Sequence, residues 1–427
     1  MTTIPSEIKK VTNATVTLLF FAWLIDYIDR LVITMALPSI GKQYHLNPVE
    51  LGAIISAFFF AYAIFQIPGG LIADRFGSKR TMAFALVAWS AFTALTGAVT
   101  NYVSLLVVRF LFGIFEGIFP AATYKAIAER TIRKNRMTAQ GAMMASNPLG
   151  VAIAPLIAAP LIVSVGWKGA FIWVAGFGVI MAVILWFALP RKLSVENQEK
   201  EPEFTSAQLE NEVSGVNARI SQLLKSGVMW KLFLMFCGLD IVQWGINAWM
   251  PTYLLEIRHI NMVHTGILAS IPNFASMISV FLGGWIYDRY FYNRQRWIII
   301  PCMLIAAVFL IFMLSATGLS EFVVYETIAI FFLNACFMPI FGMPMRMLSP
   351  EIVGLGSAMV NFGGQFGGVL SPMIMGALVS ASSFQAAFWF LVFGALLAAA
   401  SSLALPQTQD GFARALAHDG RDMVRTV

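Results

Sequence analysis

The sequence predicts an all-α membrane protein in which twelve transmembrane helices form two pseudo-symmetric six-helix bundles. Of the 427 residues, 59% are hydrophobic and only 12% are charged, whereas about 25% of the residues in a soluble domain are charged. A helical span needs about 20 mostly apolar residues. The chain holds about twelve such runs, at 14–38, 52–72, 81–100, 104–126, 138–163, 169–190, 229–255, 265–287, 297–318, 323–347, 353–379 and 385–406.

One long hydrophilic stretch divides these runs into two sets of six. We therefore expect an N-terminal bundle at 1–190, a cytoplasmic linker at 191–228, a C-terminal bundle at 229–406 and a cytoplasmic tail at 407–427. Within the linker, Thr205 and Gln208 have the spacing of a capping box, and apolar residues follow at helical spacing. This pattern predicts an amphipathic helix over 205–224 that lies on the cytoplasmic face.

The basic residues are placed unevenly along the chain. Arg75, Lys79 and Arg80 follow the second run, and Arg191 and Lys192 follow the sixth, whereas the loops after odd-numbered runs are nearly neutral. The positive-inside rule then puts both termini in the cytoplasm, and we expect a plasma membrane, the inner membrane of a bacterium. The net charge of +6 is explained by topology, so no nucleic-acid partner is expected.

Cysteine and histidine spacing gives no sign of a metal site. The three cysteines are scattered through apolar runs, and the four histidines fall in loops or in the tail. Neither pattern has the spacing of a disulfide framework or of metal ligands. We expect no metal and no cofactor, and a monomer embedded in the lipid bilayer.

The two halves of the chain repeat one another. The segment "GLIADRFGSKR" (70–80) follows the second run, and "GGWIYDRYFYNRQR" (283–296) follows the eighth. Asp74 and Asp288 stand at the same place in these segments, and Asp26 and Asp240 are separated by the same number of residues as that pair. Parallel repeats of six spans are typical of a large class of secondary transporters.

Several ionisable residues lie inside the predicted spans. A charge at the bilayer centre costs about 2.5–3.5 kcal/mol on insertion scales, and such residues usually serve function. In the first run, Tyr27 and Asp26 stand three and four residues before Arg30, which lets their side chains meet on one helix face. In the fourth run, Arg109 and Glu116 share a face two turns apart. They are too distant for direct contact, so each is expected to meet a group from another helix.

The signature segments resemble those of the major facilitator superfamily. The signature loop of that superfamily lies between spans two and three, and this chain matches it at Gly70, Ala73, Asp74, Arg75, Gly77 and Lys79. Ser78 stands where a basic residue is usual. The segments "YIDR", "RFLFGIFEGIFP" and "EIVGLGSAMVNFGGQFGGVLSP" also resemble the anion:cation symporter family, which includes galactonate, hexuronate and aldarate permeases. The resemblance covers most of the chain outside the linker and the tail.

This resemblance implies roles for individual residues. Asp29 and Glu116 would titrate, and Arg109 would couple charge movement. Arg30 and Asn361 would hold the anion. The complete set of expected substrate-binding residues is Tyr27, Arg30, Tyr62, Asn147, Gln243, Trp244, Asn361 and Gln365. We expect Asp74 and Arg75 to form a latch between the two bundles on the inner side.

We therefore expect proton-coupled import of a small organic anion by alternating access, with a sugar acid or other monocarboxylate as the first choice. The chain departs from the family at Asp26 and Asp240, where relatives commonly carry Asn, and at Met343 and Asn147. An aromatic or aliphatic carboxylate is thus an alternative substrate.

The sequence disfavours two other functions. A proton-driven exporter of cationic drugs could use the buried acids, but Arg30 and Arg109 argue against it. A membrane enzyme would need a nucleophile–base pair or a metal cluster, and the runs contain no histidine and no Gly-x-Ser-x-Gly motif. We expect no enzymatic activity.

Overall fold

The computed structural model describes residues 6–132, 135–193, 223–291, 293–348 and 352–421, and the regular elements in these ranges are all α-helices. The predicted linker helix at 205–224 lies almost entirely outside the described residues. The helices are α1 (Ser6–Tyr44), α2 (Pro48–Phe76), α3 (Ser78–Ala98), α4 (Tyr102–Arg130), α5 (Arg136–Met144), α6 (Ser146–Ala188), α7 (Gly227–Glu256), α8 (Met262–Tyr290), α9 (Arg296–Ser315), α10 (Leu319–Ala335), α11 (Phe337–Phe341), α12 (Met343–Met347), α13 (Val353–Ala381), α14 (Phe384–Leu403) and α15 (Gln409–Arg421).

Ten stretches of the described residues are long and apolar enough to cross a membrane. One of them, Arg136–Ala188, is 53 residues long and contains the fifth and sixth predicted runs. The backbone is non-helical at Gly166 inside it, with φ 72°, so these two runs meet at a break. α1 is not among the ten, and it holds the first run with its three buried charged side chains. Counting the long stretch as two spans and adding α1 gives the twelve predicted spans.

Local sequence signals explain where several helices begin and end. Asn47 caps α2 by accepting a hydrogen bond from the backbone of Glu50, whose side chain accepts one from the backbone of Asn47. This reciprocal pair satisfies two donors that a helix start leaves unpaired. Gly77 separates α2 from α3 with φ 82°, a conformation that glycine adopts without strain. In the tenth predicted run, the helix breaks near Cys336 and Gly342 into α10, α11 and α12.

The chain forms two units. Unit 1 contains the described residues of Met1–Glu201, Asn247–Phe274 and Pro372–Ser380, and unit 2 contains those of Pro202–Ile246, Ala275–Ser371 and Ala381–Val427. Unit 1 thus includes the last part of α7, the first part of α8 and the last part of α13. Within it, Trp249 Nε1 donates to the carbonyl of Pro372 at 3.0 Å. The predicted bundle boundaries at 190 and 229 stay predictions.

In unit 1, close approach between helices depends on glycines. α2 packs against α4, and α1 packs against α6. A Cβ atom on Gly113 of α4 would lie 2.5 Å from the carbonyl oxygen of Phe58, and one on Gly117 would lie 2.7 Å from the carbonyl oxygen of Tyr62. Such small-xxx-small pairs let membrane helices approach closely. Gly150 of α6 similarly faces Tyr27, whose Cβ would lie 2.6 Å from an added Cβ.

In unit 2, α13 packs against α7 through the glycines of "NFGGQFGG". A Cβ atom on Gly367 would lie 2.6 Å from the carbonyl oxygen of Cys237, and one on Gly364 would collide with the Asp240 carboxylate. The glycines are close-packing positions, as the sequence indicates. The predicted tail also contains structure, because α15 packs against α12 and its Phe412 is fully buried.

Candidate functional site: a buried arginine between two carboxylates

Arg30 lies in the middle of α1, and only 4% of the residue is exposed. Its Nη2 atom is 3.0 Å from Asp26 Oδ2 and 2.9 Å from Glu116 Oε2. Its Nε also donates to Glu116 Oε2 at 3.1 Å. The ion pair with Asp26 confirms the side-chain contact that the i, i+4 spacing predicts. Glu116 was expected to contact a group from another helix, and this group is Arg30 of α1.

Aromatic rings surround the Arg30 guanidinium. Its Cζ atom is 4.7 Å from the ring centroid of Tyr27, 4.7 Å from that of Tyr62 and 5.2 Å from that of Phe58. Such cation–π contacts stabilise a desolvated cation by about 2 kcal/mol. Gly117 and Gly150 permit this arrangement, because they let α4 and α6 approach the segments that carry Tyr62 and Tyr27. The structure therefore brings Tyr27, Arg30, Tyr62 and Glu116 together.

Asp29 points away from this cluster even though it is next to Arg30 in sequence. Its carboxylate accepts a hydrogen bond from Thr93 Oγ1 of α3, which lies 2.7 and 2.9 Å from its two oxygens. The side chain is fully buried. Asp29 therefore occupies its own polar position between α1 and α3, and no ion pair to Arg30 holds it among the described residues.

Arg109 is a second buried guanidinium. Its Cζ atom lies 4.3 Å from the ring centroid of Phe112 and 5.4 Å from that of Phe58. Among the described residues, its Nε and Nη1 atoms have no hydrogen-bond partner. It is close enough to Glu116 and Asp29 to interact with both electrostatically. No ion pair joins it to Glu116 in the described part of the chain, which agrees with their separation of two helical turns.

The other predicted substrate-binding residues are distributed over both units. In unit 1, the Asn147 side-chain oxygen accepts from Ser146 at 3.3 Å. In unit 2, Gln243 accepts from Asn334 at 2.7 Å, and Trp244 hydrogen-bonds to Asp240. Asn361 and Gln365 both lie on α13 and are half-buried, and Gln365 Oε1 has no partner among the described residues.

The structure contains polar residues that sequence reasoning did not single out. Thr93 and Asn334 are recognised only by their hydrogen bonds to Asp29 and Gln243. The sequence could not single them out, because a hydroxyl or an amide in an apolar run has many possible partners. Glu326 was also missed, although an acid within the tenth run was a visible signal. It is 1% exposed, and its Oε2 has no hydrogen-bond partner in the described ranges.

The signature loop forms an ion pair within unit 1. Asp74 accepts from Lys125 of α4 at 2.6 Å, and 74% of the Asp74 side chain is exposed. The corresponding acid of the second half, Asp288, lies 3.6 Å from Arg346 within unit 2. The predicted latch between the two bundles, formed by Asp74 and Arg75, stays a prediction.

Comparison with known proteins decides the family. The sequence model of the major facilitator superfamily matches residues 19–349. The chain belongs to the major facilitator superfamily. As a member of this superfamily, it is a multi-pass integral membrane transporter rather than an enzyme.

Individual relatives agree with this assignment. This superfamily member is 28% identical to a "Probable L-galactonate transporter" of Escherichia coli K12, over 93% of this chain and 89% of the relative. It is 26% identical to a "Hexuronate transporter" of Bacillus subtilis 168, over 87% and 89% of the two chains. Among solved structures, a bacterial homologue of the human lysosomal transporter Spinster shares the fold, with a TM-score of 0.78 and 18% identity over 96% of this chain and 98% of that one.

Proposed function

We propose that this protein is a proton-coupled symporter that imports a small organic anion by alternating access, with a sugar acid or other monocarboxylate as substrate. One observation carries the proposal. Arg30 is a buried guanidinium between two tyrosine rings, held by two carboxylates. An arginine fork matches the planar geometry of a carboxylate and can donate two parallel hydrogen bonds to it.

The balance of buried charge supports coupling to protons. In unit 1, the three acids Asp26, Asp29 and Glu116 share the membrane interior with two bases, Arg30 and Arg109. With every group ionised, the cluster carries one net negative charge, and an anionic substrate would add another. Burying uncompensated charge is costly, so proton uptake by the acids would favour binding of the anion.

The membrane potential gives this coupling a direction. Across an inside-negative membrane, an anion that enters alone loses about 2.3 kcal/mol per charge per 100 mV. One accompanying proton cancels this cost, and a second proton makes import electrogenic and concentrative. We assign proton transfer to Asp29 and Glu116, with Arg109 coupling the charge movement.

Polar side chains would complete substrate recognition. We assign Gln243, Trp244, Asn361 and Gln365, together with Tyr27, Tyr62 and Asn147, to polar contacts with the substrate. Amide side chains suit hydroxylated substrates because they provide both donors and acceptors, and an indole N–H adds a donor. We further propose that Asp74 and Arg75 act in the latch between bundles.

The relatives support a sugar acid as the first choice. Several are named as transporters of sugar acids, including L-galactonate, hexuronates and galactarate or D-glucarate. We accordingly propose a monomeric transporter in a bacterial inner membrane with both termini in the cytoplasm.

A transport assay in proteoliposomes tests the proposal. The panel contains L-galactonate, D-glucuronate, benzoate and acetate, with tetraphenylphosphonium as a lipophilic cation. We expect uptake of L-galactonate or D-glucuronate that an inward proton gradient stimulates and a protonophore abolishes. Uptake of benzoate or acetate alone would favour the alternative carboxylate substrates. Proton-driven export of tetraphenylphosphonium without carboxylate uptake would overturn the proposal.

A further inference from the structure

The hydrogen bonds of Arg30 divide its guanidinium into two edges. Glu116 Oε2 lies within 3.1 Å of Nε and 2.9 Å of Nη2, so this one oxygen occupies the edge between Nε and Nη2. Asp26 Oδ2 lies 3.0 Å from the same Nη2. Nη2 also belongs to the edge between Nη1 and Nη2, so Asp26 engages one of the two nitrogen atoms of this second edge.

This second edge is the one that a substrate carboxylate would need. A two-pronged carboxylate contact uses a whole edge of the guanidinium, and Glu116 already holds the other edge. The second oxygens of both acids, Asp26 Oδ1 and Glu116 Oε1, are buried without hydrogen-bond partners among the described residues. Each acid therefore relies on Arg30 alone for its hydrogen bonds in that part of the chain.

We propose that Asp26 is an internal carboxylate that occupies the substrate edge of Arg30, so that the anion binds only when Asp26 takes up a proton or is displaced. This inference rests on the proposed role of Arg30 as the anion anchor. Asp26 acts through Arg30 and is a positioning residue that sets both the apparent affinity for the anion and the number of protons linked to its binding.

Other charged groups of unit 1 do not replace Arg30 as a partner of Asp26. α1 packs against α2, α4, α5 and α6, and Thr93 of α3 hydrogen-bonds to its Asp29. On α5, Arg136 donates to the backbone of Ala128, and on α6, Lys168 donates to the backbone of Val99. The titratable groups near the cluster are Tyr27, Asp29, Tyr62, Arg109, Glu116 and Tyr124.

Proton linkage follows from this geometry. When Asp26 is ionised, an incoming carboxylate meets a like charge on the edge that it must occupy. A proton on Asp26 removes this repulsion and frees the Nη2 hydrogen. Wild-type protein should thus take up one proton more per bound anion than a variant with a neutral side chain at this position.

The test compares wild type with Asp26→Asn and Asp26→Ala, and uses Glu326→Gln as a control that neutralises another buried acid. Calorimetric binding of L-galactonate is measured at several pH values and in buffers of different ionisation enthalpy, which gives the dissociation constant and the protons taken up. Both Asp26 variants keep the Arg30–Glu116 pair, so a folded protein is expected, and melting curves check it.

We expect Asp26→Asn to bind L-galactonate about 10- to 100-fold more tightly at neutral pH, the range for one charge-assisted hydrogen bond. It should also take up about one proton fewer per ligand, whereas Glu326→Gln keeps the wild-type proton number. Unchanged affinity and proton number in both Asp26 variants would overturn this inference alone. Failure of every folded protein to bind L-galactonate, D-glucuronate or acetate at any pH would instead overturn the proposed function together with its consequence here.

Discussion

Glutamine at position 116 would separate substrate exchange from proton coupling. Glu116 Oε2 accepts a hydrogen bond from Arg30 Nε at 3.1 Å and forms an ion pair with Nη2 at 2.9 Å. The amide oxygen of Glu116→Gln can accept the same hydrogen bond, and the side chain has nearly the same size. Asp26 keeps its own contact with Arg30, so the anion anchor stays in place. The substitution removes the negative charge of this position and its ability to release and accept a proton, so it resembles a permanently protonated acid.

The size of the effect follows from the proton gradient. One coupled proton supplies about 1.4 kcal/mol per pH unit, which corresponds to about tenfold accumulation of substrate at equilibrium. If proton release by Glu116 is an obligatory step of each inward cycle, Glu116→Gln should reach no accumulation beyond equal concentrations. Exchange of labelled for unlabelled substrate should continue, since it needs no net proton movement.

The assay pairs two measurements in proteoliposomes: L-galactonate uptake driven by an inward proton gradient, and counterflow into vesicles preloaded with unlabelled L-galactonate. Glu326→Gln serves as the control, because Glu326 is equally buried but has no ion pair in the described part of the chain. If Glu116→Gln still accumulates substrate tenfold per pH unit, Glu116 is not the coupling acid and the reasoning is refuted.

Three further predictions concern packing and the cytoplasmic ends. Gly117→Ala should destabilise the protein by about 1–3 kcal/mol, because the added methyl group overpacks the contact, and should lower its melting temperature in detergent. The control Gly176→Ala adds a methyl group that meets no atom within 4 Å and should leave the melting temperature unchanged. Equal melting temperatures of the two variants would contradict the close packing of α2 and α4. Phe412→Ser should lower the melting temperature because a fully buried ring is lost, and an unchanged value would show that α15 does not contribute to stability. Asp74→Asn should change the free energy of unfolding by less than about 1 kcal/mol, since the ion pair of Asp74 with Lys125 is exposed. It should nevertheless slow L-galactonate turnover if Asp74 belongs to the latch, and unaltered turnover would remove that role.

The sequence predicts contacts within one helix better than contacts between helices. The Asp26–Arg30 pair follows from i, i+4 spacing and is present at 3.0 Å. The partner of Glu116 does not follow from spacing, because it depends on how far α4 slides along α1. The position of α4 depends in turn on its packing against α2, through contacts such as that of Gly113 with Phe58, which only the packed structure reveals.

Other differences have similar causes. The sequence indicates Asp29 as a neighbour of Arg30, but successive residues of a helix point in directions about 100° apart, and Asp29 bonds to Thr93 of α3 instead. Hydropathy alone shows the tenth run as one span, whereas the structure breaks it near Cys336 and Gly342. The segment after 407 reads as a polar tail, and its single aromatic side chain, Phe412, gives little signal although it is buried.

The central claim is that Arg30 binds the carboxylate of the substrate. Calorimetric binding of L-galactonate to purified wild type, Arg30→Lys and Arg30→Ala tests this claim most directly, with melting curves to establish that each protein is folded. We expect Arg30→Ala to lose binding, and Arg30→Lys to retain only part of the affinity because an ammonium lacks the planar two-donor fork. Equal affinity of folded Arg30→Ala and wild type would contradict the account.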